Sequence, residues 1–173
     1  LKDEGIKAEL TATTHTGMHR YTFPSGKPVT IIVDLAHLLD NEYIYEAELE
    51  RTTSNEIVGM RRTRGWTDNQ YVYFAAQFSE PFQTVEFVQD KKIVSAETKQ
   101  VGTDLQAILT FADKDGEPII AKVGLSLVSV DNARKNLAEE VKDFNFDAVC
   151  AAARNDWEQA LSSITVEGGG TDD

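Results

Sequence analysis

Three histidines, one cysteine, a surplus of carboxylates and an arginine cluster beside a tryptophan are the groups in this chain that could do chemistry. His15 and His19 lie four apart, the spacing of helical zinc ligands, but Gly17 and the β-branched residues around them place the pair on a hairpin. No Glu follows His15 in the H-E-x-x-H manner, and His37 stands alone in a loop. Asp113-Lys114-Asp115-Gly116 has the start of a calcium loop, yet the position that should carry the closing Glu is Lys122, so the tetrad reads as a turn. Ser25-Gly26-Lys27 lacks the upstream Gly of a phosphate loop, and Pro28 stands where a hydroxyl residue is needed. Acid–base glycoside hydrolysis needs two carboxylates held about 5–10 Å apart around a pocket, and no local spacing here marks such a pair. No G-x-S-x-G elbow and no Cys-His arrangement is present.

Arg61, Arg62 and Arg64 run into Gly65-Trp66. A tryptophan beside guanidinium groups can stack on a sugar ring while an arginine donates to its hydroxyls, which makes Arg61 and Trp66 candidate substrate-binding residues. The plainer reading, which the sequence favours, is a strand-end Trp packed in a sheet corner with the arginines paired to local carboxylates. The net charge of −12 gives this cluster its contrast. Residues 1–60 carry a balance of −5 and residues 128–173 one of −6, whereas residues 61–127 are nearly neutral at −1. An acidic surface repels phosphate backbones, which argues against nucleic acid as a partner.

Elements of a definite kind must position these groups. Ile6 to Ala12 alternates with period two, Thr16-Gly17 reads as a turn, and Met18 to Phe23 as the return strand. Val29 to Leu35 is a continuous apolar run, expected to be a strand buried on both faces. Tyr43–Leu49, Glu56–Thr63, Tyr71–Phe78, Thr84–Val88, Leu105–Phe111 and Ile119–Val128 follow, the last two flanking Asp113–Gly116 as a hairpin loop. About nine strands with short turns and no helical interludes indicate an antiparallel sandwich.

The pattern changes near Asp131. A short helix is expected over Asn132–Val141, and a second one, capped by Asn145 or Asp147, to about Ser162-Ser163. Phe146, Val149, Cys150, Ala153, Trp157, Ala160, Leu161 and Ile164 make one apolar stripe along that second helix, so Cys150 reads as a small hydrophobe facing the sandwich. Ile164-Thr165-Val166 is a candidate last strand before Gly168-Gly169-Gly170. The fold class is therefore mainly β: a large antiparallel β-sandwich segment over residues 1–128, a helical linker over 129–166 and a flexible tail over 167–173. No apolar run reaches the ~18 residues of a membrane span, and no targeting signal opens the segment. The opening at Leu1, already close to a strand, suggests a segment of something larger.

At this point the chain shows a resemblance. Gly5 to Thr13, with His19-Arg20-Tyr21-Thr22-Phe23-Pro24, is similar to the "x-L-T-A-T…G-x-H-R-Y-x-F-P" stretch of glycoside hydrolase family 92, the α-mannosidases. Gly59-Met60-Arg61, Trp66, Tyr73-Phe74, Phe78 to Phe82, Val123 to Ser126, Val130 to Ala133, and Trp157-Glu158 with Leu161 to Ile164 continue it in order, up to about Val166. The resemblance implies a supersandwich-like N-terminal domain, a helical linker and a C-terminal (α/α) barrel, in a secreted or periplasmic, exo-acting, inverting enzyme that degrades mannose-containing glycans such as N-glycans. It places the catalytic carboxylates and the calcium ligands in the barrel, so no catalytic residue and no metal ligand is assigned here. The segment is expected to begin after the family's Gly-rich opening strands and to stop before the barrel. Its expected partners are the barrel domain, mannose glycan through the parent enzyme, and further copies of itself. The alternatives are an autonomous carbohydrate-binding sandwich using Arg61 and Trp66, and a protein-interaction domain that shares only the fold.

Overall fold

The computed structural model describes residues 1–39, 42–94, 98–165 and 167–169. Among the described residues eleven strands form two antiparallel sheets. They are β1 (Lys7–Ala12), β2 (Thr16–Thr22), β3 (Val29–Asp34), β4 (Tyr43–Arg51), β5 (Glu56–Arg64), β6 (Gln70–Phe78), β7 (Thr84–Gln89), β8 (Lys92–Val94), β9 (Lys99–Gly102), β10 (Leu105–Phe111) and β11 (Ile119–Ser126). The wide sheet runs β1-β2-β11-β6-β5-β4-β9 and the narrow one β3-β10-β7-β8.

Period-two alternation builds the core between the sheets. Leu105, Ala107, Leu109 and Phe111 of β10 face Leu49, Ile57, Phe74, Ala76 and Phe78 of the wide sheet. In β4 the register shifts between Ile44 and Glu46, so Ile44 and Ala47 both face inward although three positions apart. The wide sheet is covered on its other face as well. Helix α1 (Val130–Glu140) lies there, with Ala133 buried against Val58 and Ala75, and with Ala133 and Leu137 over Gly124. A Cβ at Gly124 would stand 2.3 Å from the Ala133 carbonyl oxygen and 2.9 Å from Leu137 Cβ, so only glycine lets the helix come this close. Helix α2 (Phe146–Leu161) follows and packs its first turns on β1 and β2.

Both helices start at the residue types that favour starts. Ser129 Oγ accepts from the Asn132 amide at 3.1 Å, and Asn145 Oδ1 accepts from the Ala148 amide at 3.1 Å. The corner between them is apolar: Val141 and Phe146 close over Met18, with Phe144, Val149 and Cys150 packed beside them. Lys122 reaches this corner from β11, donating to the carbonyls of Val141 at 3.2 Å and Lys142 at 3.5 Å beneath the Phe144 ring.

Several expectations are corrected. Thr16-Gly17 is not a turn; both residues pair within β2, and the reversal falls at Thr13–His15. Val29 to Leu35 is not a strand covered on both faces. β3 is the edge of the narrow sheet, and its Ile32 is 60% exposed. Asp113–Gly116 does not close a hairpin, because β10 and β11 belong to different sheets and the loop carries the chain across the sandwich. Gly116 there takes a φ of 89°. Ile164 and Thr165 form no strand; Val166, which completes that expected strand, and residues 170–173 of the expected tail lie outside the described residues. Strands β8 and β9 were not anticipated.

Candidate functional site

The narrow sheet leaves part of the wide sheet's inner face open, and a groove of about 510 Å³ runs between β3 and strands β2, β11, β6 and β5. Its walls are apolar, from Ile31, Val33 and Leu35 on one side and Phe74, Val123 and Leu125 on the other. Polar groups enter from the inward positions of the strands. In His19-Arg20-Tyr21, alternation sends His19 and Tyr21 into the groove and Arg20 to the opposite face. His19 Nδ1 and the Tyr21 hydroxyl are hydrogen-bonded at 2.8 Å with their rings edge to face. Burial pushes the His19 pKa below its ordinary value and the Tyr21 pKa above its own.

Arg61 lines the same groove. Its Nη1 donates to the His37 carbonyl at 2.7 Å and its Nη2 to Glu42 Oε2 at 3.1 Å. Among the described lining residues Glu42 is the one carboxylate, and it is held by Arg61.

Strand alternation separates the rest of the arginine cluster. Arg62 points outward, lies over Tyr45 and Tyr71 at 5.0 and 5.4 Å, and donates to Asn69 Oδ1 at 2.7 Å. Arg64 meets Asp68 at 3.5 Å. Trp66, in the loop after β5, is 99% exposed, so it is neither packed in a sheet corner nor stacked on a guanidinium. Arg61 and Arg64 meet the local carboxylates Glu42 and Asp68, as the plainer reading has it, but Arg62 donates to an amide oxygen and the tryptophan does not join them.

The two spaced histidines also part. His15 Nδ1 sits 2.6 Å from Glu140 Oε1, the His15 amide donates to Glu140 Oε2 at 2.9 Å, and Thr13 Oγ1 donates to that same oxygen. Burial alone would raise the Glu140 pKa, but these donors hold it below its ordinary value. The two loops set aside above as turns meet each other: Gly26 N donates to Asp113 Oδ2 at 2.7 Å and Ser25 Oγ to Asp115 Oδ1 at 3.1 Å. Among the described residues no three His, Cys, Asp or Glu side chains gather as a metal site requires. Cys150 is half-buried beside Met18 and Phe146.

Sequence reasoning missed His19 and Tyr21 as groove residues, although their alternation with Arg20 in a strand was there to be read. It also missed Glu56 of β5. This buried carboxylate accepts from Arg134 Nη2 at 2.7 Å, Arg134 Nε at 3.1 Å and Gln77 Nε2 at 2.9 Å, tying α1 to the wide sheet.

Comparison with known proteins gives this architecture a family. The model of the glycosyl hydrolase family 92 N-terminal domain matches residues 1–126, and that of the family 92 catalytic domain matches residues 132–173. The chain belongs to glycosyl hydrolase family 92. A family 92 α-mannosidase from Bacteroides thetaiotaomicron superposes with a TM-score of 0.91 at 32% identity, over 98% of this chain and 24% of that one. A family 92 inverting mannosidase from Bacteroides thetaiotaomicron VPI-5482 shares the fold, with a TM-score of 0.83 at 23% identity over 96% of this chain and 22% of that one. An uncharacterized secreted glycosidase of Arthroderma benhamiae is 25% identical over 99% of this chain and 25% of its own length. The chain thus spans about a quarter of the length of these relatives. No described helix is long and apolar enough to cross a membrane.

Proposed function

We propose that this chain is a non-catalytic part of a calcium-dependent, exo-acting α-mannosidase. The sandwich shapes one wall of the active-site cleft, and the helix pair leads into the catalytic barrel. What supports the reading most is the match to an α-mannosidase of the same family over 98% of this chain, sandwich and helices together. The groove is consistent with it, since Glu42, the one carboxylate among its described lining residues, is engaged with Arg61. The substrate is a mannose-containing glycan such as an N-glycan, and the whole enzyme is exported to the periplasm or the exterior, in keeping with the secreted relative. Calcium belongs in this proposal to the rest of the enzyme. When bound, it would coordinate oxygen atoms of the sugar or of water and orient them for the reaction. The protein encoded by the full reading frame should release mannose from non-reducing ends and lose that activity on calcium chelation. A full-length protein that cleaves other glycans but no mannoside would overturn the reading.

The bare indole of Trp66 supports a second reading, in which the sandwich itself binds sugar through Arg61 and Trp66. Arg61 would have to exchange the His37 carbonyl or Glu42 for a sugar hydroxyl. Titrating mannobiose against the intrinsic fluorescence of a Trp157→Phe variant leaves Trp66 as the reporter. A saturable change abolished by Arg61→Ala favours this reading, and a flat response removes it.

A further inference from the structure

Arg20 stands at the centre of the outer face of β2, opposite Glu9 of β1 in the cross-strand register. Its Nε donates to Glu9 Oε2 at 2.8 Å and its Nη2 to Glu9 Oε1 at 2.9 Å, a bidentate fork that fixes the guanidinium plane. The remaining nitrogen, Nη1, donates to both oxygens of Asp147, at 2.9 and 3.0 Å. The same plane lies 4.4 Å from the centre of the Phe146 ring. Glu9 and Arg20 belong to the part of the chain that matches the family's N-terminal domain, and Phe146 and Asp147 open α2 in the part that matches its catalytic domain.

We propose that Arg20 is the positioning residue of the joint between these two parts: it clamps the first turn of α2 to the β1–β2 hairpin and so sets the direction in which α2 leaves the sandwich. Three features make it a clamp rather than an incidental surface pair. Two carboxylates from separate parts of the fold share one guanidinium, so removing it leaves them facing each other as like charges. The geometry is planar and bidentate on Glu9, which a lysine cannot reproduce. Beyond Ala153 the rest of α2 is exposed, Trp157 at 68%, and Phe146 is the one buried residue of the helix. A rotation of a few degrees at the first turn would carry through the whole helix. The term joint rests on the family assignment, but the direction of α2 can be measured without any activity.

The test places nitroxide labels at Glu86→Cys on β7 and Arg154→Cys on α2 in a Cys150→Ala background, both label sites being exposed. Electron-electron distance measurements then compare the parent with Arg20→Met, Arg20→Lys, Asp147→Asn and the Arg20→Met/Asp147→Asn pair. The parent should give one narrow distribution. Arg20→Met and Arg20→Lys should broaden or shift it about twofold, Asp147→Asn by less, and the double variant no more than Arg20→Met alone. Hydrogen exchange in the first turns of α2 should rise about tenfold in Arg20→Met while β6 amides change less than about twofold. Asp147 is exposed, so Asp147→Asn keeps the test valid if Arg20→Met fails to fold. Unchanged distances and exchange in Asp147→Asn and Arg20→Lys overturn the proposal. So would full additivity in the double variant. Either failure leaves the mannosidase proposal standing, and an inactive full-length enzyme would leave these distances unaffected.

Discussion

Replacing Gly124 by alanine tests how α1 is seated. The new methyl carbon would lie 2.3 Å from a backbone oxygen of α1 and 2.9 Å from Leu137 Cβ, both well inside van der Waals contact. The oxygen is main chain and cannot swing away, so the helix must lift by about 1 Å or the strand must bend. Overpacking of this kind costs about 1–3 kcal/mol. The loss has a ceiling: once it exceeds what Ala133 and Leu137 gain by burial, α1 detaches instead, and losing a buried leucine costs about 2–5 kcal/mol. The expected destabilisation is therefore about 2–3 kcal/mol, a fall in Tm of about 4–12 °C for a chain of this size. Calorimetry and urea unfolding measure it. Gly17→Ala is the control, since a Cβ there meets only the His19 ring at 3.4 Å and should change stability by less than about 1 kcal/mol. If Gly124→Ala matches the parent within about 0.5 kcal/mol, α1 does not sit on β11 as described.

Three further outcomes are expected. Burial holds the folded-state pKa of His19 below that of the unfolded chain, so the unfolded state takes up its proton first. Stability should then fall as the pH drops from about 7.5 through the unfolded value near 6.5, and His19→Gln should flatten that slope in urea titrations. For Glu56, burial would raise the pKa, but Arg134, Gln77 and Thr52 donate to it and hold it below its ordinary value. Its stabilisation is present above about pH 4.5 and lost as the pH falls through the folded value, so Glu56→Gln should cost about 1–3 kcal/mol at neutral pH and weaken the acid dependence. Trp157, Leu161 and Ile164 present an uncovered apolar stripe, and the isolated chain should self-associate more strongly as salt screens its net charge of −12. Light scattering should show this and show its loss in Leu161→Glu.

Local chemistry made much of the fold legible. Asn145 marks the start of α2 because a short side-chain oxygen there meets a free amide, whereas α1 begins at Val130 on a Ser129 cap, two residues before the expected Asn132. Alternation in β10 and β11 marks their core faces in the same way. Strands β8 and β9 escaped because Lys92-Ile93-Val94 and Lys99-Gln100-Val101-Gly102 are too short and too polar to show a period. The crossing from β10 to β11 escaped because Asp113–Gly116 has the same turn chemistry whether the next strand returns beside the last or joins another sheet. At the site, the arginine cluster was legible as residues but not as geometry, since neighbours in a strand face opposite ways and Arg61 alone enters the groove. The clamp from Arg20 to Asp147 joins residues 127 positions apart, and no local pattern announces it.

The central claim is that this chain contributes walls and a joint, not the reacting groups, to a family 92 glycosidase. Mannose release from an aryl α-mannoside by the purified 173-residue chain, with and without calcium, tests it most directly. The account predicts no release above the enzyme-free rate in either condition. Release that survives repurification and disappears on substituting a carboxylate of this chain, Glu42 first, would contradict it.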